Sequence, residues 1–346
     1  MTALDDTFDS PATREAARAA LTAARPDATA AEWRPLGRGN RKETALATLA
    51  DGDHLVVQAA TDPAAVRSER ALLDAIADRT SVPVPTALAS ERVGDAAALV
   101  TEHVDGRDLH ERFTALGVSV RRDLARAFGR SLAELHEAFR FERYGSVAVP
   151  ARPDATAAEP AVELVAGAAS GEDVPETGGT DWAAWLGAYG RSGLARLPAA
   201  FDGLRVDLAT LFDDPEVESA PPARLFPWDF RPGNALVTDG ELAAVLDWEA
   251  PLAAAPALSL AKAEYLVADW YVEESEPLRE AFRAGYESVR PCPAVDPVHR
   301  AAAICRTAVD SNGVVTNPGY PELSREKSVS FHRRALEDVL AASDIE

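Results

Sequence analysis

The stretch "RLFPWDFRPGNALVTDGELAAVLDWEAP", Arg224–Pro251, decides how this chain folds. Two apolar runs joined by Thr238-Asp239-Gly240 predict a β-hairpin. The loop "DFRPGN" leads into the first strand, and Asp247 stands at the far end of the second. In an antiparallel pair the entry of one strand lies beside the exit of the other. Asn234 and Asp247 are therefore expected to face one space, with Asp229 reaching it from the preceding loop. Two carboxylates and an amide oxygen at a loop mouth suit Mg²⁺, completed by water and phosphates. Phosphoryl transfer divides such a set: one Asp activates a hydroxyl, while the Asn and the other Asp hold the metal.

Working outward, "SPATREAARAALTAARP" predicts a helix with Ser10 as N-cap and Pro11 at its first position, ending by Pro26. Three short strands follow, one ending at Leu36, then Thr44–Leu49 and His54–Ala59, the last two joined by the Asp51-Gly52-Asp53 turn. Ala64–Arg79 has the helical period, and "VPVPTALAS" and "AALVTEHVDG" read as two more strands. Beyond Gly106 the pattern turns helical. Ala151–Thr180, rich in Ala, Gly, Pro and acids, reads as a long surface loop. The expected architecture is α+β: a small N-lobe over residues 1–104, with five antiparallel strands and one further helix, and a helical C-lobe over 105–346.

The formal charge is −21, and only Lys42, Lys262 and Lys327 are lysines among 35 basic residues. Acid excess with scarce Lys and abundant Ala is the pattern of a salt-adapted proteome. In molar salt the screening length falls to about 3 Å, so long-range steering contributes little. With no basic stripe, a nucleic-acid partner is not expected. No apolar run reaches membrane-spanning length and the N-terminus is acidic, so the expectation is a cytoplasmic protein with no membrane partner, a monomer or homodimer. Cys292 and Cys305 fit no metal or disulfide spacing, and the six histidines show no zinc spacing.

"DFRPGN" followed by "AVLDWE" resembles the catalytic loop and metal-binding segment of the aminoglycoside phosphotransferase and choline kinase family, which has the protein-kinase-like fold. The resemblance implies a kinase acting on a hydroxyl of a small molecule, with ATP or GTP as co-substrate and Mg²⁺ as cofactor. It makes Asp229 the catalytic base and Asn234 and Asp247 the metal ligands. Gly37, Gly39 and Asn40 would cover the nucleotide phosphates, with the glycines letting the backbone come close. Glu69 would match the family's helix glutamate, and the backbone of Glu102 and Val104 would meet the purine.

Two departures stand out. Where the family has a strand lysine gripping the phosphates, this chain has Gln58, which carries no charge. Arg38, Arg41 and Lys42 could replace it, but the residues alone favour solvated loop cations. Glu69 would then lack an ammonium partner, pairing with Gln58 or Arg70 or standing exposed. The histidine-glycine that precedes the family's catalytic Asp is here Pro227-Trp228. Trp228 is either a wall of the acceptor pocket or a core aromatic. These departures keep a second reading open, a catalytically impaired nucleotide- or ligand-binding protein.

Overall fold

The computed structural model describes residues 4, 7–28, 30–38, 42–150, 164–166, 179–215, 217 and 221–343. They form two compact units, each assembled from several stretches. The first takes Met1–Asp105, Ala148–Val165 and Ala243–Ala250; the second takes Gly106–Val147, Ala166–Leu242 and Pro251–Glu346.

The first unit opens with α1 (Pro11–Ala24), where the Ser10 hydroxyl accepts from the Thr13 N–H at 3.0 Å and Pro11 takes the first helical position. Strands β1 (Ala30–Arg38), β2 (Glu43–Leu49) and β3 (His54–Ala60) follow, then α2 (Pro63–Arg79), β4 (Ala87–Val93) and β5 (Ala96–Glu102). The strands form one antiparallel sheet in the order β1-β2-β3-β5-β4. The alanine face of α1 (Ala16, Ala17, Ala20) is buried in one core with Trp33, Leu49, Leu55, Val57 and Val100. β4 starts later than its apolar run predicts. Pro83 and Pro85 have no N–H for a sheet ladder, so residues 82–86 stay outside it. This segment lends carbonyls instead: Pro83 accepts from the Val245 N–H at 2.8 Å and Thr86 from the Glu102 N–H at 2.9 Å.

The second unit is mainly helical: β6 (Arg107–Asp108), α3 (Leu109–Arg112), α4 (Val118–Ala138), β7 (Arg140–Phe141), β8 (Gly145–Ala148), β9 (Val165–Ala166), α5 (Trp182–Arg196), α6 (Arg205–Asp213), β10 (Ala223–Phe226), β11 (Ala235–Thr238), β12 (Glu241–Val245), β13 (Leu252–Ala254), α7 (Pro256–Glu264), α8 (Glu276–Glu287), α9 (Pro297–Thr307) and α10 (Arg325–Ser343). The chain changes unit within β8, β9 and β12. Most of the predicted Ala151–Thr180 loop lies outside the described residues; the described part includes β9. Among the described residues, no helix is long and apolar enough to cross a membrane.

Helices α4 and α8 meet through a glycine on each. A Cβ at Gly129 would collide with the Phe282 carbonyl, and one at Gly285 with the Arg126 carbonyl. Both obstacles are backbone, so neither can swing aside. Gly285→Ala is expected to lower stability by about 1–3 kcal/mol, read as a lower Tm in molar KCl; an unchanged Tm would contradict this packing.

Three buried histidines are structural. His136 Nδ1 bonds the Tyr286 hydroxyl at 2.7 Å, His332 Nδ1 bonds Tyr265 at 2.8 Å, and His299 Nδ1 accepts from the Asp296 N–H at 3.1 Å. Burial pushes His136 well below its ordinary pKa and brings His299 and His332 down to about 4. Their neutral forms stabilise the fold fully above about pH 6.5. As pH falls from there, the unfolded chain binds more protons, so stability drops until about pH 4, by roughly 3 kcal/mol for each of His299 and His332. The Tm should therefore decline steeply between pH 6.5 and 4, and a flat profile across that window would refute neutral burial.

Candidate active site

β10 runs into Pro227-Trp228-Asp229, and a single 3₁₀ turn over Pro232–Asn234 delivers the chain to β11. The Asp229 Oδ2 accepts from both Nε and Nη2 of Arg231, each at 3.0 Å, and from the Asn234 Nδ2 at 3.1 Å. That amide nitrogen also donates to the Asp229 carbonyl at 2.9 Å. Among the described residues only Oδ2 is engaged, which leaves Oδ1 open. The Asn234 nitrogen is committed, and among the described residues its Oδ1 takes no hydrogen bond.

The hairpin forms as predicted. Asp239 (φ 54°) and Gly240 (φ 85°) make a two-residue turn with both φ positive, whose twist matches that of the flanking strands. β12 ends at Val245, and Asp247 follows in the left-handed region at φ 62°. That conformation is strained for a side chain longer than glycine's, though Asp tolerates it better than most. The Trp248 indole N–H donates to the Val245 carbonyl at 2.9 Å and tightens the turn.

Within the first unit, Lys42 stands immediately before β2. Its Nζ donates to Glu69 at 2.9 and 3.0 Å and lies 3.4 Å from both Asp247 and Glu249. Lys42 is 10% exposed and Glu69 only 5%. Burial works against the ammonium, but Glu69, Asp247 and Glu249 outweigh it and hold its pKa above the usual lysine range. Two expectations are corrected here. Lys42 is not a solvated loop cation, and Glu69 neither lacks an ammonium nor turns to Arg70, which pairs with Asp74 at 2.8 Å. The reason is register. β2 and β3 are antiparallel neighbours, about 4.8 Å apart, and Thr44 lies opposite Gln58. A cation at the mouth of β2 thus emerges beside the end of β3. Gln58 itself makes no side-chain hydrogen bond among the described residues.

Of the other candidates, Gly37 lies opposite Thr44 just past an irregularity in the β1–β2 register. Gly39 and Asn40 lie outside the described residues, as does Arg41. Glu102 ends β5 with its N–H on Thr86, and Val104 follows, half-buried, in residues 103–106.

Trp228 is half-buried in the second unit, 6.2 Å from Phe226 and 6.3 Å from Tyr189 between ring centres. Tyr189 ends a stacked column on one face of α5: Trp182 and Trp185 at 5.6 Å, Trp185 and Tyr189 at 5.1 Å. Sequence reading passed over Arg231, Glu249, Lys262 and Arg306. For Lys262, as for Lys42, a signal was available. A chain that has nearly dispensed with lysine keeps two of its three at buried positions, while Lys327 is exposed.

An antiparallel sheet with two helices packed against it, a helical unit, and an Asp–Asn loop feeding a hairpin together define a protein-kinase-like fold. The chain belongs to the phosphotransferase enzyme family, whose model matches residues 32–299. Similar solved structures include a thermostable mutant of aminoglycoside phosphotransferase APH(4)-Ia (12% identity, 91% of this chain and 96% of that one, TM-score 0.57). A further variant of that thermostable protein, solved as a ternary complex with AMP-PNP and hygromycin B, is similar to the same degree (12% identity, 90% and 94% covered, TM-score 0.56). A third is a protein of Haemophilus somnus 129PT assigned as a fructosamine-3-kinase (13% identity, 95% and 99% covered, TM-score 0.55). No match is found among curated proteins.

Proposed function

We propose that this chain is a Mg²⁺-dependent kinase that moves the γ-phosphate of ATP or GTP onto a hydroxyl of a small molecule. The observation that carries the reading is the buried Lys42–Glu69 pair, which supplies from β2 the charge that Gln58 withholds on β3. Phosphoryl transfer in kinases depends on such a lysine–glutamate pair. In this reading Lys42 holds nucleotide phosphates, and the peptide backbone around Gly37, Gly39 and Asn40 covers them. Glu102 and Val104 meet the base. Asp229 orients the acceptor hydroxyl and takes its proton through Oδ1, while Arg231 and Asn234 fix the carboxylate through Oδ2.

Asn234 Oδ1 and the Asp247 carboxylate are hard oxygen donors, the type a divalent cation of this size selects, and they are the proposed metal ligands. Bound there, Mg²⁺ would neutralise charge on the phosphates. Scarce lysine and the −21 charge support a cytoplasm rich in salt as the working medium. The second reading, a catalytically impaired binding protein, is favoured only by Pro227-Trp228 in front of Asp229.

Calorimetric titration of ATP and GTP in molar KCl, with and without Mg²⁺, tests the proposal. Binding should require Mg²⁺ and weaken at least about tenfold in Asp247→Ala, the loss typical of removing one charged contact. A folded protein that binds neither nucleotide would sink the kinase reading.

A further inference from the structure

Lys262, on α7, is 3% exposed. Its Nζ lies 3.4 Å from the centre of the Trp228 ring and 5.7 Å from that of Phe226. Among the described residues no carboxylate forms an ion pair with it and no acceptor takes a hydrogen bond from it. Arg306, on α9, is equally buried. Its guanidinium lies 5.1 Å from the Trp228 ring and 5.0 Å from Tyr189, and its Nη1 donates to Ser192 Oγ at 2.8 Å. Arg306, Arg231 and Arg196 act on Lys262 as like charges, and Asp229 acts as an opposing one. That carboxylate is already shared with Arg231 and Asn234.

Among the described residues the Lys262 ammonium thus contacts aromatic rings and no carboxylate, in a chain whose overall charge is −21. A buried ammonium without an anion is strongly unfavourable. Among the described residues, Ser259 Oγ, one helical turn before Lys262, and the Trp185 indole N–H are also buried without hydrogen-bond partners. Among the described residues, a Lys262 ammonium without a carboxylate and buried polar groups without hydrogen bonds, in the unit that holds the candidate base, are what a polar ligand would satisfy.

We propose that Lys262 and Arg306 form an anion-binding subsite for the acceptor, with Trp228 as its apolar wall, so that the molecule phosphorylated here carries a carboxylate or phosphate as well as its hydroxyl. The term acceptor rests on the kinase reading above; the anion site stands without it. A polycation such as an aminoglycoside would meet like charge at this position. Burial pushes the Lys262 pKa down to about 7, with Asp229 opposing the shift and Arg306, Arg231 and Arg196 adding to it. An arriving anion restores the charged form, so its binding takes up a proton.

The test uses one sugar in four charge states, without nucleotide and at constant ionic strength: glucose, glucosamine, glucuronate and glucose 6-phosphate. Acetate and inorganic phosphate serve as minimal anions that make no demand on shape. Thermal shift and calorimetry in two buffers of different ionisation enthalpy read binding and proton uptake. The carboxylate or the phosphate arm should raise the Tm of the wild type and take up protons near pH 7.5, while glucose and glucosamine should not. The response should vanish in Lys262→Met, be lost equally in Lys262→Gln should the first variant fold poorly, and persist in Lys42→Met. Anions that stabilise Lys262→Met as well as the wild type overturn the subsite, as does a wild type indifferent to every anion. A phosphate response lost in Lys42→Met but kept in Lys262→Met would place the anion at the nucleotide site, refuting the subsite and leaving the kinase reading intact. ATP binding absent while the anion response persists would do the reverse.

Discussion

Lys42→Met should cut kcat/KM for nucleotide by roughly 10²- to 10³-fold, the usual cost of removing one preorganised charge from a transferring group. Gln58→Ala should cost less than about tenfold, the loss of a single neutral hydrogen bond. The contrast follows from burial. Lys42 is held by Glu69 at 2.9 Å with a tenth of its side chain exposed, whereas Gln58 has no side-chain partner among the described residues. Methionine at 42 also leaves Glu69 buried without a counter-charge, which costs about 3–5 kcal/mol of stability. Lys42→Met/Glu69→Leu removes both charges and separates lost catalysis from lost folding. Adding Gln58→Lys to that pair returns a cation to β3, one strand away, and should recover part of the nucleotide affinity. Equal activity in Lys42→Met and wild type would leave the phosphates without their proposed grip.

Asp229→Asn should lower kcat by about 10²- to 10⁴-fold, the range for losing a positioned general base, while nucleotide affinity stays within a few-fold of wild type. Asparagine keeps an oxygen that can accept from Arg231 and Asn234, so the loop retains its hydrogen bonds while proton acceptance and the charge paired with Arg231 are lost. The same variant discriminates between the two functional readings. If an acceptor is found and Asp229→Asn turns over as fast as wild type, Asp229 is not the base. If wild type binds nucleotide with Mg²⁺ yet phosphorylates no acceptor, anionic ones included, the impaired-binder reading takes its place.

The parts of this fold that could be read from sequence are those fixed by neighbours along the chain. Ser10 and Pro11 start α1, the Asp239-Gly240 turn closes its hairpin, and the periods of α2 and α4 mark their buried faces. The Asp229–Asn234 contact was also accessible, because five residues of loop can close on themselves. What sequence did not reveal depends on register and burial. Lys42 reaches Glu69 only because β2 and β3 align Thr44 with Gln58, and no local pattern encodes that offset. Arg231 on Asp229 is a two-residue contact that motif reading passed over, since the eye goes to the acid and the amide. Lys262 sits in a mostly apolar run, Pro251–Ala268, that is buried throughout, where its position on the Trp228 ring is a matter of tertiary packing. Both buried lysines were nonetheless marked by their rarity in an arginine-rich chain.

The division of the chain between its units bears on how the protein is made. Residues 1–105 leave the ribosome first, yet the unit they begin also needs Ala243–Ala250, synthesised far later. Until that octapeptide emerges, Val245 cannot close on Pro83, and Lys42 has Glu69 but neither Asp247 nor Glu249. A nascent chain stalled short of residue 243 would hold a Pro83 carbonyl without its Val245 partner and a cation only partly neutralised. The Lys42–Glu69 pair therefore reaches its full charge environment after translation has passed the hairpin, so this protein cannot be divided at residue 105 into two self-sufficient pieces.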